Sequence, residues 1–209
     1  MVTSSVSDSS LLQLDHIATR FQAAHQLGQR YIPLTTYIKI PVHSSIKAVV
    51  CIPDFQLSTE KARSVLPASF SKFDVVSNLQ RLSLLISALF ASAQISPELT
   101  EIPVQLAVAI NAGLQDVVHQ PYRQSLVPGL KEILQLKPSE MPGLLGACLS
   151  GAGPTILCLA TSHFTRIGDR MRQCVAQQTM SSGESPGQPI ECQILVLEIS
   201  SSGALITSQ

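Results

Sequence analysis

The sequence predicts an α+β fold, a sandwich in which an antiparallel sheet has helices on one side. Two observations indicate this class. Short apolar or β-branched runs come in neighbouring pairs, at 35–42 with 46–53 and again on both sides of residues 150–154, and a last run covers 190–199. Longer stretches with apolar residues at helical spacing lie between these runs. Neighbouring strands with short connections pair antiparallel, and the helices then cover the sheet.

Two helices are predicted in the first half of the main domain. Ser58 or Thr59 caps a short helix that Pro67 ends. The segment SKFD, at 71–74, resembles a capping box and begins a long helix. Its apolar spacing predicts one core-facing stripe, made of Val75, Leu79, Leu82, Ile86 and Leu89.

Three further helical patterns follow. Pro103 begins a helix whose predicted inner face carries Leu106, Ile110, Leu114 and Val117. After a proline-bent segment at 119–129, a helical pattern resumes at 130–136. The last helix is predicted over 163–178, with Phe164, Ile167, Met171 and Val175 facing inward.

The pattern divides the chain into three parts. Residues 1–33 form a separate N-terminal segment with a predicted helix over 11–27, residues 34–199 form the main domain, and the Ser-rich residues 200–209 form a tail. A flexible loop is expected at 179–189. The ferredoxin-like sandwich is the nearest named arrangement for the main domain.

Charge and composition restrict the partners. Fourteen basic and fourteen acidic residues cancel, so nucleic acid and anionic membranes are not expected to bind. The purely apolar runs are shorter than the ~20 residues of a membrane helix, and the N-terminus does not resemble a secretory signal. Five cysteines in no metal-ligand spacing are interpreted as reduced. We therefore expect a cytoplasmic protein.

The small residues Ser150, Gly151, Ala152 and Gly153, followed by Pro154, connect two predicted strands. Such a loop exposes backbone N–H groups and lacks side-chain bulk, so a phosphate or another loop can approach it closely. The same composition is also typical of a tight turn, and the pattern alone leaves both interpretations open.

Two arginines are candidate anion ligands. Thr59 and Arg63 are four residues apart and share one face of the predicted short helix. Arg123 follows Pro121 in the bent segment. A guanidinium at such a position binds a carboxylate through two hydrogen bonds, and a nearby hydroxyl can bind an amino-acid substrate. Alternatively, Arg63 lies on a solvated face and Arg123 holds the bend through backbone carbonyls.

Acid–base catalysis has weaker support. Asp116 and His119 are close in sequence, but no nucleophile accompanies them, and no serine lies in a GxSxG segment. His119 is therefore interpreted as a structural residue, and no catalytic residue is assigned.

Four ordered segments carry a resemblance to a known family. VVCIPDFQLSTEKARSVLP, DVVSNLQRLSLLISAL, HQPYRQSLVPGL and LSGAGPTI resemble the C-terminal half of the homoserine kinase family, in the GHMP small-molecule kinase superfamily, over about residues 36 to 197. The resemblance implies ATP- and Mg²⁺-dependent phosphorylation of L-homoserine in threonine biosynthesis. It also implies substrate binding by Thr59, Arg63 and Arg123, and nucleotide binding at the loop of Ser150, Gly151, Ala152 and Gly153.

The family's P-x-x-x-G-L-G-S-S-A phosphate motif does not occur in this sequence. We therefore expect a C-terminal fragment without measurable kinase activity of its own, and a homodimer is left open. One alternative is a non-catalytic module that binds an amino acid or a protein. Another is an amino-acid-sensing domain of ferredoxin-like type, although such domains do not need the LSGAGPTI loop.

Overall fold

A four-stranded antiparallel sheet is the centre of the computed structural model, which describes residues 39–99, 101–177 and 189–200. The predictions for residues 1–33, for 35–38, for most of the loop at 179–189 and for the tail beyond residue 200 lie outside this part. The sheet has the order β2-β3-β1-β4, and each neighbouring pair runs antiparallel. Its strands are β1 (Lys47–Pro53), β2 (Leu144–Leu149), β3 (Ile156–Ala160) and β4 (Cys192–Glu198).

The predicted strand at 35–42 is not confirmed where it can be compared, because residues 39–42 form no strand. Pro41 has no N–H to donate to a sheet. The chain turns at His43 instead, where the Ile46 N–H donates to the His43 carbonyl and the His43 N–H donates to Ser92 Oγ.

Six helices are described: α1 (Thr59–Ser64), α2 (Lys72–Ser92), α3 (Val104–Gly113), α4 (Gln120–Arg123), α5 (Leu130–Leu134) and α6 (Phe164–Ala176). Both predicted caps are present. Ser58 Oγ accepts the Lys61 N–H at the start of α1, and Ser71 Oγ accepts the Asp74 N–H at the start of α2. The short helix α4 lies inside the segment that was expected only to bend.

Helices cover both faces of the sheet, so the expectation of helices on one side is wrong. Alternate residues of a strand point to opposite faces. On β1, Val49 belongs to a core that includes Ile167 of α6, whereas Val50 belongs to a second core that includes Ile110 of α3. The α+β class and the antiparallel sandwich are confirmed.

The inner faces of α3 and α6 are largely as predicted, but that of α2 is not. Ile110, Leu114, Ile167, Met171 and Val175 are all buried. On α2, in contrast, only Ala88 and Ser92 are buried, and four of the five predicted core residues are exposed: Val75, Leu79, Leu82 and Ile86. Apolar residues occur nearly all around α2, so spacing alone does not select the side that meets α3 and the sheet.

By length and composition, α2 is the one helix of the described residues that is long and apolar enough to cross a membrane. A single such helix is weak evidence, since core helices of soluble proteins pass the same test. The exposed side of α2 also carries Phe73 and Phe90, which are 79% and 53% exposed.

Candidate functional site

One cavity brings together the substrate residues predicted from the sequence. It has a volume of about 520 Å³ and is lined by Thr59 and Arg63 of α1, Arg123 of α4 and the loop residues Gly151 and Ala152. Ser150 and Gly153 flank the two lining residues of the loop. Positions up to 93 residues apart in sequence therefore meet at one site.

Helix α1 presents Thr59 and Arg63 to this cavity. The Ser58 cap begins the helix one residue before Thr59, so Thr59 and Arg63 are one turn apart on the same face. The neighbouring Ala62 is fully buried and fixes the helix against the rest of the domain. Arg63 is exposed, and its guanidinium has no hydrogen bond or ion pair to any described residue. It is therefore free to bind an anion.

Arg123 is buried and connects two elements of the site. Its Nε donates to the Ala62 carbonyl of α1 at 3.1 Å, and its Nη1 donates to the Gly151 carbonyl at 2.9 Å. The interpretation that Arg123 binds backbone carbonyls is thus correct, although the carbonyls belong to α1 and the loop and not to its own bend. A guanidinium has five N–H groups, so three remain for a ligand.

The loop after β2 is a tight turn with unused donors. The Ser150 N–H donates to the Thr155 carbonyl at 2.9 Å, and the Gly153 N–H donates to the Ser150 carbonyl at 3.0 Å. Gly151 has a φ of +58° and Gly153 a φ of +88°, a region that favours glycine. The N–H groups of Gly151 and Ala152 have no acceptor among the described residues. Such paired backbone donors suit an anion.

Asp116 organises the entrance to α4. Its carboxylate accepts the backbone N–H of His119 at 2.7 Å and that of Gln120, and it also bonds the His119 ring Nδ1 at 3.1 Å. Burial acts to raise the pKa of Asp116, but these hydrogen bonds outweigh it and the pKa is lowered. Asp116 is therefore ionised at neutral pH and lines the cavity beside His119.

Gln120 is a site residue that sequence reasoning missed. It is 5% exposed, its Oε1 accepts the Leu149 N–H at 2.7 Å, and its Nε2 donates to the Leu114 carbonyl at 3.1 Å. It thereby ties the end of α3 to the end of β2, directly before the loop. The sequence did contain a signal for a helix start at this position. An aspartate precedes His119, Gln120 and Pro121, and such a pattern is typical of a capped helix N-terminus.

Cys148 also lines the cavity, and burial raises the pKa of its thiol to about 11, so the thiol is neutral. All five cysteines are free. Among the described residues, no group of three or more His, Cys, Asp or Glu side chains is placed to hold a metal ion.

Several known proteins are similar to this chain in sequence. Residues 78–177 match the GHMP kinases C terminal family. Homoserine kinase of Schizosaccharomyces pombe is 45% identical over 174 residues, which is 83% of this chain and 45% of that protein. Homoserine kinase of Saccharomyces cerevisiae is 41% identical over 83% of this chain and 43% of its own length.

A solved structure shows the same fold. The crystal structure of homoserine kinase from Cytophaga hutchinsonii superposes with a TM-score of 0.59 at 22% identity, over 77% of this chain and 44% of that one. The fold and the family match together show that residues 78–177 are similar to the C-terminal domain of GHMP kinases. Within that class, the sequence is related to the C-terminal part of homoserine kinases. The chain spans about half the length of the curated relatives that it matches.

Proposed function

We propose that this chain supplies the substrate-binding part of a homoserine kinase, which transfers the γ-phosphoryl group of ATP to L-homoserine in threonine biosynthesis. One observation carries the proposal. Thr59, Arg63, Arg123 and the Gly151–Ala152 turn, which the family resemblance assigns to the site, line a single cavity. The cytoplasm, where both substrates are available, is the proposed location.

Each group has a role in the proposed reaction. The Arg63 guanidinium and the three remaining N–H groups of Arg123 bind the α-carboxylate of homoserine. The Thr59 hydroxyl is one helical turn from Arg63 and adds a hydrogen bond. The Gly151 and Ala152 N–H groups face the nucleotide phosphates. Phosphoryl transfer depends mainly on positioning and charge stabilisation, so these residues act by binding.

Mg²⁺ fits the residues of this chain poorly. Asp116 is the one carboxylate of the described residues that lines the cavity. Mg²⁺ prefers several oxygen ligands in octahedral geometry. We therefore expect the ion to enter bound to ATP, with no dedicated site among the described residues.

A chimera tests the kinase role. The matching region of Schizosaccharomyces pombe homoserine kinase is replaced by residues 36–197, and homoserine phosphorylation is measured in a coupled assay. We expect activity, which Arg123→Ala lowers at least a hundredfold in kcat/KM, since an ionic hydrogen-bonded contact and the support of the loop are lost together. Arg172→Ala is the matched control, because Arg172 is exposed on α6 and pairs with Asp169. A folded chimera that is inactive, or one indifferent to Arg123→Ala, would refute the proposal.

A second candidate function is a non-catalytic amino-acid-binding module. It is favoured because the proposed carboxylate ligands all belong to this chain. For residues 1–209 alone we expect no measurable phosphorylation of homoserine, because one turn with two N–H donors supplies too little binding energy for ATP. Calorimetry with homoserine would then show binding without turnover. Turnover by the unmodified chain would refute this expectation.

A further inference from the structure

We propose that Asp116 and His119 bind the ammonium group of the substrate, so that this chain by itself recognises both charged ends of a zwitterionic α-amino acid. The inference rests on the proposed function, because it uses the same cavity. It assigns a role to a histidine whose sequence context indicated only a structural one.

The two residues form a fixed pair on the cavity wall. His119 Nδ1 lies 3.1 Å from Asp116 Oδ1, and the two side chains are 47% and 22% exposed. Because an ionised carboxylate only accepts hydrogen bonds, Nδ1 must carry the proton. Nε2 of the neutral ring is then an acceptor, and it has no partner among the described residues. An ammonium group is a donor that matches it.

The cavity lining carries charged side chains of both signs. Arg63 and Arg123 are the cations that suit a carboxylate, and Asp116 is the anion that suits an ammonium group. Cys148, on the neighbouring strand β2, has a thiol pKa of about 11 and contributes no charge near neutrality. A free carboxylic acid without an amino group would leave Asp116 and His119 unused.

Calorimetry on the full 209-residue chain tests the inference, with L-homoserine and 4-hydroxybutanoate as ligands. We expect homoserine to bind at least tenfold more tightly at pH 7.5, as an ionic hydrogen bond implies. His119→Ala should remove most of that preference. His119→Gln should keep part of it, because the Gln amide oxygen can accept near the position of Nε2. His163→Asn is the matched control, because His163 is exposed, lies outside the cavity lining and has a φ of +53° that Asn accepts.

The outcomes separate this inference from the proposed function. Equal binding of both ligands, with binding still lost in Arg123→Ala, would overturn the ammonium assignment and leave the carboxylate site intact. A preference for homoserine that survives His119→Ala in a folded protein would also overturn it. A Kd of about 10 mM corresponds to a binding free energy of roughly 3 kcal/mol. If neither ligand binds at this concentration, this chain does not bind an amino acid through its carboxylate and ammonium groups. The chimera assay then decides the kinase role separately.

Discussion

Replacing Gln120 by Met should show how much of the site depends on one buried amide. Gln120 Oε1 accepts the Leu149 N–H, and its Nε2 donates to the Leu114 carbonyl. Leu149 and Leu114 are 9% and 7% exposed, so water does not readily replace the lost partner. The strand β2 is at the edge of the sheet, which leaves the Leu149 N–H dependent on Gln120.

The magnitude follows from these two bonds. A buried donor or acceptor without a partner costs about 1–3 kcal/mol, so two such groups cost about 2–6 kcal/mol. Met has nearly the same shape as Gln and recovers about 1 kcal/mol through apolar burial. We therefore expect the free energy of unfolding to fall by about 1–5 kcal/mol, compared with the 5–15 kcal/mol typical of a domain.

Urea denaturation followed by far-ultraviolet circular dichroism measures this change, and hydrogen exchange reports the Leu149 amide directly. The matched control is Gln124→Met, since Gln124 follows α4 and its side chain makes no hydrogen bond to a described residue. The control should change the free energy by less than about 0.5 kcal/mol. If Gln120→Met changes it by no more than the control, or if the Leu149 amide keeps its protection, Gln120 does not hold β2 to α3.

Three further predictions use the same denaturation assay. Leu79→Lys should change the free energy of unfolding by less than about 0.5 kcal/mol, because Leu79 is 60% exposed. Ile110→Ala, at a fully buried position, should lower it by about 2–5 kcal/mol. Similar values for the two variants would contradict the observed orientation of α2. Gly113→Ala should destabilise by about 1–3 kcal/mol, because an added Cβ would lie 2.6 Å from Leu85 Cβ on α2, and a neutral result would mean that α2 and α3 separate easily. The lowered pKa of Asp116 stabilises the fold above the pKa of an unfolded Asp, about 3.9, and this contribution is lost as the pH falls through the folded pKa. Asp116→Asn should therefore lower the free energy of unfolding at pH 7 and reduce its decrease towards acidic pH. If this decrease is the same in the variant and in the unmodified protein, Asp116 does not have the proposed stabilising role.

Local signals in the sequence determined most of the elements. Ser58 and Ser71 cap helices where their side chains precede a helical pattern, since a cap needs only neighbours along the chain. The apolar spacing identified the buried face of α6, because the other positions of that helix are mostly polar or charged. On α3 it identified the buried Ile110 and Leu114, although Val104 and Val108 are apolar and exposed. The four segments also carried enough family resemblance to bring Thr59, Arg63, Arg123 and the Ser150–Gly153 loop into one hypothesis about the site.

The tertiary structure alone decided what those residues touch. The buried side of α2 depends on where α3 and the sheet lie, and a helix that is apolar nearly all around does not encode that choice. The contacts of Gln120 and Arg123 are to backbone atoms of Leu114, Leu149, Ala62 and Gly151. Every residue has such atoms, so these partners have no signature in the sequence and become specific only when the fold brings distant backbone groups within hydrogen-bonding distance.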